Sequence, residues 1–333
     1  MATTDAAPGL SFPRDTFASL TPKPFLLAHL KLPTPSRPSG RSPPEFRKPT
    51  VNTGSLSHSN GSAVVRVGDT AVVCGVRAEI LLATDIARPP EGHADDNELV
   101  QRLGLLVPNV ELSTGCSPAH LPGNPPGSIA QSLSYRVSAL LNASNAVSLD
   151  DLRIKYNQPV IDDETSAGTG EAVTKAYWTL YIDILCLALD GNALDAVWLA
   201  VYAALHDTRL PGARWDPDRE NVVCSTLASN ACPLQLHDLP IVTSFAVFTT
   251  ASPLTKLESS QTWLLADPDA FEEEICEEAL SIVLQQRKDG GQHILKLDSS
   301  GGVCLSRKTM GSALQLAESR CEQLRRIMDG QQS

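Results

Sequence analysis

The chain has 333 residues, 42% hydrophobic and 20% charged, a balance that supports a sizeable core and excludes an acidic disordered polymer. Lys and Arg total 27 against 38 Asp and Glu, so the net charge is −11 and unaided binding to nucleic acid by phosphate neutralisation is disfavoured. Aromatics at 5% argue against a stacking platform for single strands, and the apolar run 180–189, broken by Asp183, is too short to span a membrane.

The segment after Met1 lacks the charged, apolar and small-residue pattern of a secretory signal. Residues 1–36 form a proline-rich arm. Phe12, Phe17, Phe25, Leu26, Leu27 and Leu30 give it apolar teeth, so it is expected to pack in short helical turns. Arg37, Arg41, Arg47 and Lys48 then gather around a single Glu45. From residue 51 the pattern alternates, which predicts strands at 51–57, 62–67 and 70–80 with turns at Asn60-Gly61 and Gly68-Asp69. Residues 84–128 read as a long insertion with one strand near 105–112. A helix is predicted over 129–141, with Leu133, Val137 and Leu140 on one stripe. Strands follow at 152–156 and 176–189.

Asp190-Gly191-Asn192 turns the chain into a helix over 193–206 that is apolar nearly all round and therefore expected to be buried. Residues 207–236 read as a connector. Strands are predicted at 241–248, 263–266, 280–286 and 293–297, with a turn at Asp289-Gly290-Gly291. The strands 51–80 and 241–248 are expected to offer sheet edges for association. The last helix, 307–328, carries Met310, Leu314, Ala317, Cys321, Leu324 and Met328 on one face. Strands followed by a helix, twice over, describe an α+β chain: a first half at 37–206 and a second at 237–330.

Several motifs fail chemical scrutiny. Gly168-Thr169-Gly170 lacks a third glycine and precedes a strand, so it reads as an ordinary turn. Lys308-Thr309 has no phosphate-loop glycine upstream. Ser225, His237 and Asp238 lack a nucleophile elbow, and Cys224, Cys232 and His237 lack a CxxC pair for zinc. The eight cysteines include Cys74 and Cys186 within apolar strands, where a reduced, packed thiol is expected. The acidic run Asp267, Asp269, Glu272, Glu273, Glu274, Glu277 and Glu278 offers carboxylates for a divalent cation, but its plainer reading is a solvated strand edge or turn.

Three ordered anchors carry a family resemblance. They are Arg37-Pro38-Ser39-Gly40-Arg41 with Gly61-Ser62-Ala63 and Gly68-Asp69-Thr70-Ala71-Val72-Val73-Cys74-Gly75-Val76; Tyr181-Ile182-Asp183-Ile184 with Asp190-Gly191-Asn192-Ala193-Leu194-Asp195-Ala196; and Leu264-Leu265-Ala266-Asp267-Pro268 with Glu272-Glu273-Glu274. Over residues 37–330 the chain resembles the RNase PH family, and within it the ring subunits of the eukaryotic RNA exosome. The resemblance implies the RNase PH fold (ribosomal protein S5 domain 2-like): two similar β-sheet-plus-helix halves in one α+β domain, which assembles side by side into six-membered rings.

Active members cleave RNA from its 3′ end with inorganic phosphate. Their phosphate cradle is a Gly-Gly-Thr-Arg entry to the buried helix, where arginine and the helix N-terminus hold the anion. At the matching positions this chain has Ala193 and Leu194, which supply neither hydroxyl nor guanidinium. Asp195 follows, an anion where like charges about 4 Å apart cost on the order of 1–4 kcal/mol. Active members also carry two acids six residues apart. Glu273 matches the first and Ala279 the second, although a slip by one residue would bring in Glu278 on the opposite strand face.

The resemblance thus implies a non-catalytic structural and RNA-guiding subunit without cofactor or metal; the alternative is an active phosphate-dependent 3′-5′ exoribonuclease. Implied partners are other RNase PH-like ring subunits, S1/KH cap subunits, an RNase II/R-type catalytic subunit, and RNA through the assembly. Implied locations are nucleus, nucleolus and cytoplasm. Arg37, Arg41 and Arg136 are the candidate RNA-facing residues.

Overall fold

The computed structural model describes residues 13–87, 96–118, 120, 127–159, 169–237, 240–250, 261–286, 291–301 and 306–330. The arm forms two helices, α1 (Arg14–Leu20) and α2 (Pro22–Leu30), the second with proline at its tolerated first position. Strands β1 (Pro49–Thr53), β2 (Gly61–Val67) and β3 (Thr70–Leu82) follow, then α3 (Asp96–Arg102), β4 (Leu106–Leu112), α4 (Ser128–Ser144) and α5 (Leu149–Leu152). β5 (Arg153–Pro159) leads to the long β6 (Thr169–Ala188) and to α6 (Ala193–Asp207). The connector holds two small antiparallel pairs. One is β7 (Arg209–Leu210) with β10 (Cys232–Pro233); the other is β8 (Ala213–Asp216) with β9 (Asn221–Cys224). The second half comprises β11 (Ile241–Thr249), β12 (Thr262–Ala266), α7 (Ala270–Ile275), β13 (Glu278–Gln286), β14 (Gln292–Ser300) and α8 (Arg307–Gly330).

The first sheet runs β1-β2-β3-β6-β4, with β5 also on β6; the second runs β12-β11-β13-β14. Alternation sets the inner face of the first sheet. Val72, Cys74 and Val76 on β3 and Ile182, Ile184 and Cys186 on β6 are buried, while Val73, Arg77, Asp183 and Leu185 point out. Helix α6 packs on β1, β2, β3 and β6 and also on β11. A helix buried all round needs apolar residues all round, and Leu194, Val197, Trp198, Val201 and Leu205 meet that demand. One continuous core therefore runs through both halves, closed on the second sheet by Ala313, Ala317, Cys321, Leu324 and Met328 of α8.

Four sequence expectations need correction. Asn60-Gly61 is not the tip of a hairpin; it opens β2. The Asn60 side chain accepts from the Ala78 amide at 2.8 Å, and a Cβ at residue 61 would fall within 2.6 Å of the Ala204 carbonyl on α6. Glycine is required there for close strand–helix approach. The two-residue turn at Gly68-Asp69 does form, with Gly68 at a φ of 61°. Strand β11 is interior to its sheet, so the edges are β12 and β14. Helix α3 lies in a stretch read as loop, and α5 takes as its last residue Leu152, read as the first of a strand. The turn expected at Asp289-Gly290 and the residue Asp238 lie outside the described residues.

The arm docks on the second sheet. Leu26 and Leu30 join Ala246, Phe248, Leu265 and Ile275 in a small separate core, and Phe25 stands edge-on to Phe271 at 6.0 Å. Leu26→Ala is expected to lower the unfolding free energy by about 2–4 kcal/mol, the usual cost of emptying such a site. Denaturant unfolding and limited proteolysis of the arm measure it; a change near zero would show that the arm is not part of the core.

Candidate functional site

The acidic run is solvated only in part: Glu273, Glu274 and Glu277 are exposed, and the other acids are not. Asp267, Glu272 and Glu278 are all buried, because arginines distant in sequence fold onto the first two. Asp269 caps α7: its carboxylate accepts from the Glu272 amide at 3.0 Å, while Glu272 accepts from the Asp269 amide at 3.1 Å. This is a capping box, and Asp269-x-x-Glu272 was its readable signal.

Arg47 grips the Asp267 carboxylate with two guanidinium bonds, 2.9 Å from Nε and 2.8 Å from Nη2, and adds its backbone amide at 2.9 Å. Its Nη1 donates to the Asp190 carbonyl at 2.7 Å. Burial works against charge on Asp267, but the Arg47 hydrogen bonds and charge, with Asn192, hold its carboxyl below the ordinary value. The Arg37 and Glu272 pair, 3.2 Å apart and shielded from solvent, behaves differently. Burial outweighs their attraction and shifts each toward its neutral form.

These facts overturn the expectation that Arg37 and Arg41 face RNA. Arg37 is 1% exposed and donates to the carbonyls of Pro43, Glu45, Ala266 and Asp267. Arg41 donates to the Asp267 carbonyl at 2.9 Å and lies 3.6 Å from carboxylate oxygens of Asp267 and Asp269. Both guanidiniums tie the segment after the arm to the second half.

The head of α6 sits against this lock. Gly191 and Asn192 adopt left-handed backbone, with φ of 68° and 48°. A Cβ at residue 191 would lie 2.4 Å from the Asp269 carbonyl carbon, so only glycine fits. The Asn192 side-chain amide donates to Asp267 at 2.6 Å and to Asp195 at 2.9 Å, and its backbone N–H donates to Glu273 Oε1 at 2.8 Å. Asp195 also accepts from the Ser244 amide at 3.0 Å and hydroxyl at 2.7 Å. Ser244 Oγ lies 3.2 Å from Ser281 Oγ, which accepts from Arg136 at 3.1 Å. A polar chain therefore connects the lock to Arg136 on α4.

A cleft of about 530 Å³ opens over this chain and brings Ala193, Leu194, Glu273, Ala279 and Arg136 together. Leu194 turns into the core, and Ala193 presents a methyl group. On β13, Ala279 shares a strand face with Ser281, and Glu278 shares the other face with buried Leu280 and Ile282, yet Glu278 also lines the cleft. Arg136 retains 30% of its side-chain exposure beside Asp298 at 3.8 Å. Sequence reasoning missed Arg47, Asn192 and Asp267 as the organising residues. Among the described residues no group of three His, Cys, Asp or Glu side chains is arranged to hold a metal. Cys74 and Cys186 are buried free thiols, and burial pushes Cys186 up to about 12. Among the described residues no helix is long and apolar enough to cross a membrane.

Comparison with known proteins defines the class. Residues 45–211 match the model of the 3′ exoribonuclease family, domain 1, and the chain belongs to this RNase PH family. It is 34% identical to "Exosome complex component rrp43" of Schizosaccharomyces pombe, an alignment covering 96% of this chain and all of the relative. It is 28% identical to "Exosome complex component Rrp42" of Archaeoglobus fulgidus over 89% of this chain and 92% of that protein. Among solved structures, a chain of the Archaeoglobus fulgidus exosome with RNA bound to the active site superposes with a TM-score of 0.64 at 25% identity, covering 91% of this chain and 96% of that one.

Two expected outcomes follow from the site. Arg37→Ala leaves Glu272 buried without its partner and should cost about 3–5 kcal/mol of stability, read by denaturant unfolding. An unchanged midpoint with weakened RNA binding would return Arg37 to the RNA path. The second concerns Asp195, whose carboxyl is raised to about 6, first by burial and then by Asp267, against the hydrogen bonds from Ser244 and Asn192. The folded state thus binds the proton more tightly than the unfolded chain. This contribution to stability is full below about pH 4 and is lost as pH rises through about 6. Relative to Asp195→Asn, the unmodified chain should gain stability as pH falls across that window; parallel pH profiles of the two proteins would refute the shift.

Proposed function

We propose that the chain is a non-catalytic ring subunit of an RNA exosome core, one that supports 3′-5′ RNA processing and degradation structurally. The observation that carries this reading is the head of α6. Phosphorolysis needs donors beside the scissile phosphodiester, and positions 193 and 194 offer a methyl group and a buried isobutyl group. Ala279 supplies no carboxylate to the same cleft, and the acids that line it, Glu273 and Glu278, oppose an anion. The full-length similarity to exosome components supports the assembly. An active phosphate-dependent exoribonuclease is the weaker reading, because among the described residues the only Arg or Lys lining this cleft, Arg136, is engaged by Ser281 and Asp298.

Ring formation fits the surfaces. Leu185 and Leu187 stand exposed on the outer face of the first sheet, and Ile294 and Leu297 on the edge strand β14. Neighbours in this reading are other RNase PH-like subunits, with S1/KH cap subunits above and an RNase II/R-type hydrolytic subunit supplying catalysis. Ribosomal RNA maturation and RNA turnover in nucleus, nucleolus and cytoplasm belong to the same reading. With a net charge of −11, the chain meets RNA through a path built jointly with its neighbours, and Arg136 is the candidate contact it retains.

The full-length chain, incubated with 3′-tailed RNA, phosphate and Mg²⁺, should release no nucleoside diphosphates above a mock preparation, and it should co-purify with RNase PH-like subunits at the native mass of a ring. Diphosphate release, or a well-dispersed monomer that binds no other ring subunit, would defeat the proposal.

A further inference from the structure

The cleft between α4, α6 and β13 is short of hydrogen-bond donors. Two residues of its lining, Asn192 and Glu278, each bury a side-chain oxygen that has no partner: Asn192 Oδ1 and Glu278 Oε2. The two residues are 4% and 2% exposed. A buried acceptor left unpaired costs free energy until a donor reaches it.

The acceptors come from two elements, Asn192 at the cap of α6 and Glu278 at the start of β13. The Asn192 amide nitrogen is committed to Asp267 and Asp195, so the side chain cannot turn to relieve its oxygen. Glu278 ends in a soft torsion, which lets its carboxylate turn at little cost. Burial raises its carboxyl above the ordinary value, as expected of a carboxylate short of a positive partner. Glu273 adds a second carboxylate to the lining and is exposed. Against these two acids the lining sets, among the described residues, one guanidinium, Arg136, already engaged by Ser281 and Asp298. A water can satisfy an oxygen but brings no charge to offset the carboxylates. Beside the acceptors the lining is apolar and accessible, with Ile129 and Ala279 exposed and Ala193 half-buried. The volume of about 530 Å³ falls in the range of small-molecule sites, about 300–1,000 Å³.

We propose that this cleft is a binding site for an organic cation, a guanidinium or ammonium head on an aliphatic stem. Glu278 and Asn192 receive the head, and Ile129, Ala193 and Ala279 flank the stem, the division of labour that long cationic side chains favour. The head supplies both the missing donors and the missing charge. Its source is either a free amine or guanidine or an arginine or lysine side chain of a neighbouring subunit. Such a site agrees with a non-catalytic cleft but stands without that reading, because it rests on Asn192, Glu278 and Glu273 and not on positions 193 and 194.

The test titrates the full-length chain with butylguanidinium and with its neutral counterpart butylurea, followed by ligand-observed NMR. Butylguanidinium is expected to bind with a Kd of about 1 mM or tighter, and at least about tenfold more tightly than butylurea, the smallest factor that a hydrogen bond to a charged group supplies. Glu278→Gln should weaken it at least about tenfold, and Glu273→Gln by less, since that acid is exposed. Equal binding of the two probes, or none, overturns the proposal without any variant, and so does displacement of butylguanidinium by Mg²⁺ at equal ionic strength. Repeating the titration on the purified ring separates the sources. Retained binding assigns the cleft to a free cation. Lost binding together with weaker ring assembly by Glu278→Gln assigns it to a neighbour's side chain. Lost binding with unchanged assembly would show a cleft that the ring closes empty, and would overturn the proposal. Release of nucleoside diphosphates would defeat the non-catalytic reading alone, so the two failures are distinguishable.

Discussion

The bidentate pair of Arg47 with Asp267 is the contact on which the arrangement of the two halves depends. It joins residues 220 positions apart and draws in a third segment, since Arg47 also holds the Asp190 carbonyl and Asp267 also holds Asn192. Charge-assisted bidentate bonds are among the stronger polar contacts available to a protein. Their strength shows in what they sustain. Asp267 adopts left-handed backbone with a φ of 51°, a conformation that costs a non-glycine residue on the order of 1–3 kcal/mol. Arg320 of α8 extends the same hub, donating to the Arg47 carbonyl at 2.9 Å while stacking over Phe46 at 4.9 Å.

The neighbouring Arg37 and Glu272 pair shows that burial of opposite charges is not stabilising by itself. Both of its members shift toward neutrality, whereas Arg47 and Asp267 both shift toward the charged form despite burial. The difference lies in geometry. Asp267 receives two guanidinium bonds, a backbone amide and a side-chain amide, while Glu272 leaves Oε1 without a partner. Arg37 instead contributes by satisfying four backbone carbonyls drawn from both halves. Its role is closer to that of a staple between loops than to that of half an ion pair.

The regular elements were legible in the sequence because periodicity is local. The alternation in β2 and β3, the all-apolar α6 and the single apolar face of α8 each declare their burial within one window. The site was legible only in part. Ala193, Leu194, Glu273, Ala279 and Arg136 do share one cleft. Arg37 and Arg41, expected to face RNA, and the buried acids Asp267 and Glu272, expected to be solvated, were misread together for one reason. Linear charge density shows carboxylates in a row but not that their partners stand more than two hundred residues earlier. Asn60-Gly61 failed differently, because the same dipeptide serves a tight turn or a close helix contact, and only tertiary packing decides between them.

The residues that the fold requires at the head of α6 are not those that phosphorolysis would require. Gly191 is fixed by its approach to Asp269, and Asn192 by its bonds to Asp267 and Asp195. Ala193, Leu194 and Ala279 contribute no hydrogen-bonding side chain to that lock. The lock is therefore independent of the side chains at the chemical positions, so a chain can present methyl and isobutyl groups there and keep its architecture. The polar chain from Asp267 through Asn192, Asp195, Ser244 and Ser281 to Arg136 carries the same point to the surface. Its members bond to one another along the seam between the halves, although the Asn192 side-chain oxygen is left without a partner.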